Sequence, residues 1–87
     1  MSLKIAESLA EAMRLAGFRD GEFTITPVVL SRAQDGYVFD TVRRGRAGRI
    51  TVGADVTADG FTTQTEDAAD AYIRDTFKIA ARSESVD

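Results

Sequence analysis

Apolar and polar positions alternate most regularly in Arg49-Ile50-Thr51-Val52-Gly53-Ala54-Asp55-Val56. Ile50, Val52, Ala54 and Val56 fall on one side of an extended chain, and Arg49, Thr51, Gly53 and Asp55 on the other. A period of two predicts a half-buried strand, with one face on the core and one in water. Turn-forming residues flank it, Arg44-Gly45-Arg46-Ala47-Gly48 before and Ala58-Asp59-Gly60 after. The remaining elements are expected beside this strand or across its apolar face.

Helical spacing governs the start of the chain. Ser2 is placed to cap a helix over Leu3 to Ala16. Ile5, Leu9, Met13 and Ala16, with Ala6 and Ala12, make one apolar stripe, and Lys4, Glu7, Ser8, Glu11 and Arg14 take the other side. Gly17 suits the left-handed position after the last turn, and Phe18 can fold back on Met13 to complete a Schellman ending. Asp20-Gly21 then turns the chain into a strand over Glu22 to Thr26. Pro27, the only proline, marks an edge or a bulge, because it has no N–H for a ladder. The apolar parity changes there, from Phe23 and Ile25 to Val28 and Leu30, and a bulge would reconcile the two halves.

Gln34-Asp35-Gly36 carries a hairpin signal, and Tyr37 to Val42 returns as the next strand. After the alternating strand comes a short one, Phe61 to Gln64. Thr65 caps a last helix from Glu66 to about Arg82, with Ala69, Ile73, Phe77 and Ala80 as its buried stripe and Tyr72 and Thr76 beside them. Glu66, Asp67 and Asp70 near its start and Lys78 and Arg82 near its end oppose the helix dipole. The expected class is α+β: helix, antiparallel meander of three to four strands, helix, with both helices on one face of the sheet. Thr24, Thr26, Thr51, Asp55 and Thr57 suit the wet face. Residues 1–87 are expected to form one domain, with 83–87 as a frayed tail.

Composition narrows the chemistry. The chain is 44% hydrophobic and 29% charged, a globular mixture rather than a disordered one. It has no cysteine and no histidine, which removes disulfides, thiolate metal sites, the usual general base and the commonest metal ligand together. No cofactor or metal is expected, no membrane span or signal peptide is legible, and a cytoplasmic location in a bacterial host is the expectation. The net charge is −3 and the pI about 4.8, against a general nucleic-acid binder. The charge is unevenly spread: residues 1–54 carry 8 Lys/Arg and 6 Asp/Glu, residues 55–87 carry 3 and 8.

Three constellations follow. Arg43, Arg44, Arg46 and Arg49 lie on a Gly-containing hairpin that either grips phosphates or an acidic protein surface, or simply solvates a sheet edge. Its Gly45-Arg46-Ala47-Gly48 spacing matches neither a KH loop, which joins helices, nor a Walker loop, which ends in Gly-Lys-Ser/Thr. Asp55, Asp59, Glu66, Asp67, Asp70 and Asp75 face only Arg74 within residues 55–75. They read as an acidic stripe, with Asp59, Glu66, Asp67 and Asp70 as its contacts, or as local turn, dipole and i,i+4 partners. Tyr37 and Phe39 share a strand face, either as an exposed interface anchor or as core. No serine sits in a nucleophile setting, so an enzyme is not expected.

The element order resembles that of a double-stranded-RNA-binding domain. That family places a basic cluster at the start of its second helix, where this chain has Thr65-Glu66-Asp67-Ala68-Ala69-Asp70, which would repel phosphates. The stretch Arg49–Val56, then Asp59-Gly60-Phe61, then Thr65–Phe77 resembles small phage-encoded anti-CRISPR proteins, over about half the chain. The resemblance implies a non-enzymatic inhibitor, monomeric or dimeric, that binds a CRISPR surveillance complex and stops it engaging target DNA. It assigns no residue a role. The alternatives are a small nucleic-acid-binding protein using the Arg43–Arg49 hairpin, or a structural phage subunit built through open sheet edges.

Overall fold

The first helix stops where glycine lets it. In the computed structural model, which describes residues 3–28 and 35–80, α1 spans Leu3–Leu15 and Gly17 takes a φ of 102°. The Phe18 N–H bonds the Met13 carbonyl and the Gly17 N–H that of Arg14, the paired bonds of a Schellman ending. Ile5, Leu9, Ala12 and Met13 are buried as the stripe predicts. Ser8, assigned to the polar side, is fully buried as well. Ser2, the predicted cap, lies outside the described residues.

Strands β1 (Phe23–Pro27), β2 (Tyr37–Arg43) and β3 (Arg46–Val52) form an antiparallel sheet in the order β1-β2-β3. Pro27 sits on an edge strand, as expected. The Arg44 N–H bonds the Glu22 carbonyl and the Val28 N–H that of Val38, so the even-numbered residues of β1 face β2. Pro27 is odd, and its missing N–H falls on the outer side. The ladder runs from Phe23↔Arg43 to Pro27↔Phe39 and on to Val28 without a slip, so no bulge interrupts it there. Leu30 and Gln34 lie outside the described residues. Arg44 and Gly45, with φ of 49° and 80°, make the two-residue loop between β2 and β3, both positive as a type I′ turn requires.

The long alternating strand is two strands. It breaks at Gly53, whose φ is 78°, and the chain leaves the first sheet. Strands β4 (Ala54–Thr57) and β5 (Gly60–Thr63) form a separate two-stranded ladder around Ala58-Asp59. The alternation survives the break because it records which residues are apolar, not which sheet receives them.

The last helix, α2, spans Glu66–Thr76, with the Thr65 hydroxyl accepting from the Ala68 N–H at 3.2 Å. It ends several residues before the predicted Arg82, which lies outside the described residues. Lys78 adopts a φ of 59°, and Ile79 and Lys78 donate to Arg74 and Asp75 in a second Schellman ending, this one without glycine. Lys78→Gly should therefore raise stability by up to about 1 kcal/mol, read as a higher melting temperature. A lower one would mean that the lysine side chain compensates for its backbone.

The core cluster joins Ile5 and Leu9 of α1 and Ala69 and Ile73 of α2 to Phe39 of β2. Ile25, Tyr37 and Val52 pack against it from the same side of the sheet as Phe39. The buried stripe of α2 is Ala69, Asp70, Ile73 and Arg74, turned from the predicted one; Phe77 and Tyr72 are half exposed or more. The fold is α+β. Among the described residues no helix is long and apolar enough to cross a membrane.

Polar groups lock the two helices together. Lys4 meets Asp67 at 2.5 Å, the buried Ser8 hydroxyl donates to Asp70, and Arg74 donates to Ser8 at 2.9 Å and to Glu11 at 2.6 Å. The partners advance in the same order along both helices, so α1 and α2 run side by side in one direction. Arg74 Nε also holds the Ala80 carbonyl at 2.8 Å, fixing the chain after α2.

Candidate interaction surface

The four arginines of the hairpin do not form one patch. Arg44, in the turn, folds back: its guanidinium lies 4.5 Å from the centre of the Phe18 ring, bonds Glu22 at 3.2 Å and reaches the Gly17 carbonyl at 3.3 Å. This explains an arginine at a left-handed turn position that asparagine or glycine fits better. Arg44 braces the hairpin against the end of α1. Arg49 points to the opposite sheet face and pairs with Asp40, its cross-strand neighbour, at 2.9 Å. The hydrogen bond that Arg49 donates to Asp40 is the main reason that the pKa of its guanidinium is held above the ordinary value. Arg43 and Arg46 face each other directly across the ladder and make no ion pair among the described residues. They are the part of the basic site that remains available.

Glu22 is the counterweight at this corner. Its carboxylate accepts from the Arg19 N–H at 2.8 Å and from Arg44, and these bonds, the backbone one first, hold its pKa below the ordinary 4.5. A depressed folded pKa contributes stability above the unfolded value and loses it as pH falls through the folded one. Glu22→Gln should thus be less stable than the parent at pH 7, and the gap should close below about pH 4 in paired urea titrations. A gap independent of pH would mean that the charge is not involved.

The acidic set separates in the same way. Asp70 is buried against Ser8 and Asp67 is paired with Lys4, so neither belongs to an open acidic stripe. Asp59 in the β4–β5 turn and Glu66 at the start of α2 are exposed. The aromatic pair resolves toward the core: Phe39 is 1% exposed, and Tyr37 is half-buried with its hydroxyl donating to the Gln64 carbonyl at 2.9 Å. They are not a surface anchor.

Sequence reasoning missed the most exposed element. All eight strand residues of β4 and β5 are exposed, and the cross-strand pair Val56↔Phe61 is 79% and 61% accessible. An isolated two-stranded hairpin is at best marginally stable, so this one depends on its base. There the Gln64 N–H bonds the Gly53 carbonyl at 2.7 Å, Gly36 N–H the Thr63 hydroxyl at 2.8 Å, and Gln64 Nε2 the Asp55 carboxylate at 2.7 Å. Gly53 lies so close to Tyr37 and Ala69 that a Cβ there would come within 3.0 and 3.1 Å of them. The result is an arm held at its root and free beyond it. The signal was Gly53 itself: a glycine inside a strand pattern marks a break or a close backbone approach.

Hollows of 370 Å³ beside Leu15, Ile79 and Ala80 and of 350 Å³ beside Phe23 and Val42 also open on the surface. Most of their charged lining is already engaged, Glu11 with Arg74, Arg14 with Asp20 and Glu22 with Arg44, while Lys78 beside the first makes no ion pair among the described residues. Comparison with protein-family models, with curated proteins and with solved structures finds no match.

Proposed function

We propose that this chain is a non-enzymatic protein-binding module and that the β4–β5 arm is its contact surface. One observation carries the reading. A domain with a small core leaves a hairpin outside it and sets Val56 and Phe61 side by side in water. Apolar pairs on a projecting, acid-tipped arm suit a protein interface, where a central apolar anchor is ringed by polar groups. Arg43 and Arg46 supply a second, basic contact. The partner class follows from the anti-CRISPR resemblance: a nucleic-acid-handling complex, a CRISPR surveillance complex first, whose DNA-facing surface the module occupies.

Direct nucleic-acid binding draws less support, because two unpaired arginines neutralise about two phosphates and leave a salt slope of only ~2. Affinity capture from a bacterial host with tagged protein, read by mass spectrometry, separates the readings. Recovery of CRISPR effector subunits is the expected result. Recovery of nucleic acid alone would overturn the proposal and favour the arginine hairpin as a direct binder. Arg43→Glu with Arg46→Glu should weaken the captured complex if the basic contact takes part.

A further inference from the structure

Thr41 and Gly48 face each other across β2 and β3, on the side of the sheet that carries Phe39. Thr41 is 2% exposed, yet its hydroxyl has no hydrogen-bond partner among the described residues. Buried polar side chains are as a rule bonded, and an exception calls for a partner. A Cβ on Gly48 would lie 3.2 Å from the Thr41 Oγ1 and meet nothing else within 4 Å among the described residues. Gly48 itself is exposed. The glycine thus leaves a notch in β3 that opens to solvent, with the threonine hydroxyl turned into it. Arg43 and Arg46 form the next row on the same face, ~7 Å along the strands. Neither guanidinium makes an ion pair or a hydrogen bond among the described residues. Like charges set directly opposite each other weaken a ladder, so the pair opposes folding until an anion joins it.

From this placement we infer that the Gly48 notch and the two arginines form a binding site for a phosphate monoester. The inference rests on the reading of Arg43 and Arg46 as a basic contact and names the group that the contact takes. One phosphoryl oxygen enters the notch and accepts from the Thr41 hydroxyl, which has its proton to give. The remaining oxygens face Arg43 and Arg46, whose planar forks suit a tetrahedral oxyanion. Charge selects the monoester. It carries about −1.5 to −2 at neutral pH and balances two guanidiniums, whereas a carboxylate or a phosphodiester brings a single charge. The notch selects by shape as well, because any side chain at position 48 would fill the space that the oxygen needs. The same group can come from a free phosphate ester or from a phosphorylated side chain of the protein partner.

Titration of the whole chain with inorganic phosphate at neutral pH and constant ionic strength, followed by amide NMR, tests the site. Saturable shifts are expected at Thr41, Arg43, Arg46 and Gly48, with acetate and dimethyl phosphate much weaker at equal concentration. Arg43→Gln or Arg46→Gln should weaken phosphate binding roughly tenfold or more, as for hydrogen bonds to a charged group. Thr41→Val should weaken it about threefold to tenfold. Gly48→Ala, at an exposed position in ordinary strand backbone, should do the same and covers the case in which Thr41→Val does not fold. Shifts reproduced by chloride, or parent-like binding by Gly48→Ala, would overturn the inference. So would dimethyl phosphate bound as tightly as phosphate, in favour of a nucleic-acid backbone. Tighter binding of a phosphoserine peptide than of glycerol phosphate supports the site with a protein source, and the reverse order supports it with a free ester. If phosphate binds while Arg43→Glu with Arg46→Glu keeps the captured partner in full, the site stands and the basic contact falls. If phosphate does not bind while that variant weakens capture, the basic contact stands and this inference falls.

Discussion

Arg74→Ala is expected to unfold the protein, or to bring it to the edge of unfolding, at neutral pH and room temperature. Arg74 is 9% exposed, and its guanidinium supplies donors to Ser8, Glu11 and the Ala80 carbonyl. Its removal takes the donors from Ser8 and Glu11 in a cluster that also holds the buried Asp70, which is bonded to Ser8. Breaking such a buried arrangement from one side costs about 3–5 kcal/mol, and a domain of this size has only ~5 kcal/mol in total. Chemical denaturation followed by circular dichroism would show the loss. Replacing the set together, Ser8→Ala with Asp70→Leu and Arg74→Met, should restore most of the stability, because apolar groups of similar volume need no counterion. If the triple variant is as unstable as Arg74→Ala, the network contributes net stability of its own. Its remaining role, holding the two parallel helices in register, would then be secondary.

The second large effect is at Phe39. It is 1% exposed and shares the core cluster with residues of both helices, so Phe39→Ala should cost about 3–5 kcal/mol. Phe61→Ser, by contrast, removes an aromatic that is 61% accessible and should change stability by less than about 0.5 kcal/mol. The same denaturation experiment, run on both, distinguishes a core phenylalanine from a surface one. A large loss in Phe61→Ser would mean that the arm is packed onto the body and is not available to a partner.

Much of the fold was legible because its cues are local. Gly17-Phe18 marks the end of α1 and Thr65 the start of α2, and the turn stretches Arg44–Gly48 and Ala58–Gly60 hold the two tight turns, although Arg46, Ala47, Gly48 and Gly60 belong to the flanking strands. What escaped depends on contacts far apart in sequence. Ser8 is expected on the polar side of α1 and Asp70 in an acidic stripe or as a local partner of Arg74, yet the two bury each other across 62 residues, which turns the inner face of α2 away from Phe77. Lys78 ends α2 in a conformation that glycine usually marks, so nothing in the residue itself gave the stop. Gly53 did give a signal, but the unbroken alternation beyond it concealed the change of sheet. The candidate site was legible in part. Arg43 and Arg46 make no ion pair among the described residues, while Arg44, Arg49, Asp67 and Asp70 have structural partners that no spacing rule reveals.

The most direct measurement compares two variants for retention of the captured partner after both are shown to melt like the parent. One is Val56→Asp with Phe61→Ser on the arm; the other is Arg43→Glu with Arg46→Glu at the hairpin. The arm variant is expected to lose the partner and the arginine variant to retain it at reduced affinity. Full retention by the arm variant would contradict the assignment of the β4–β5 arm as the binding surface.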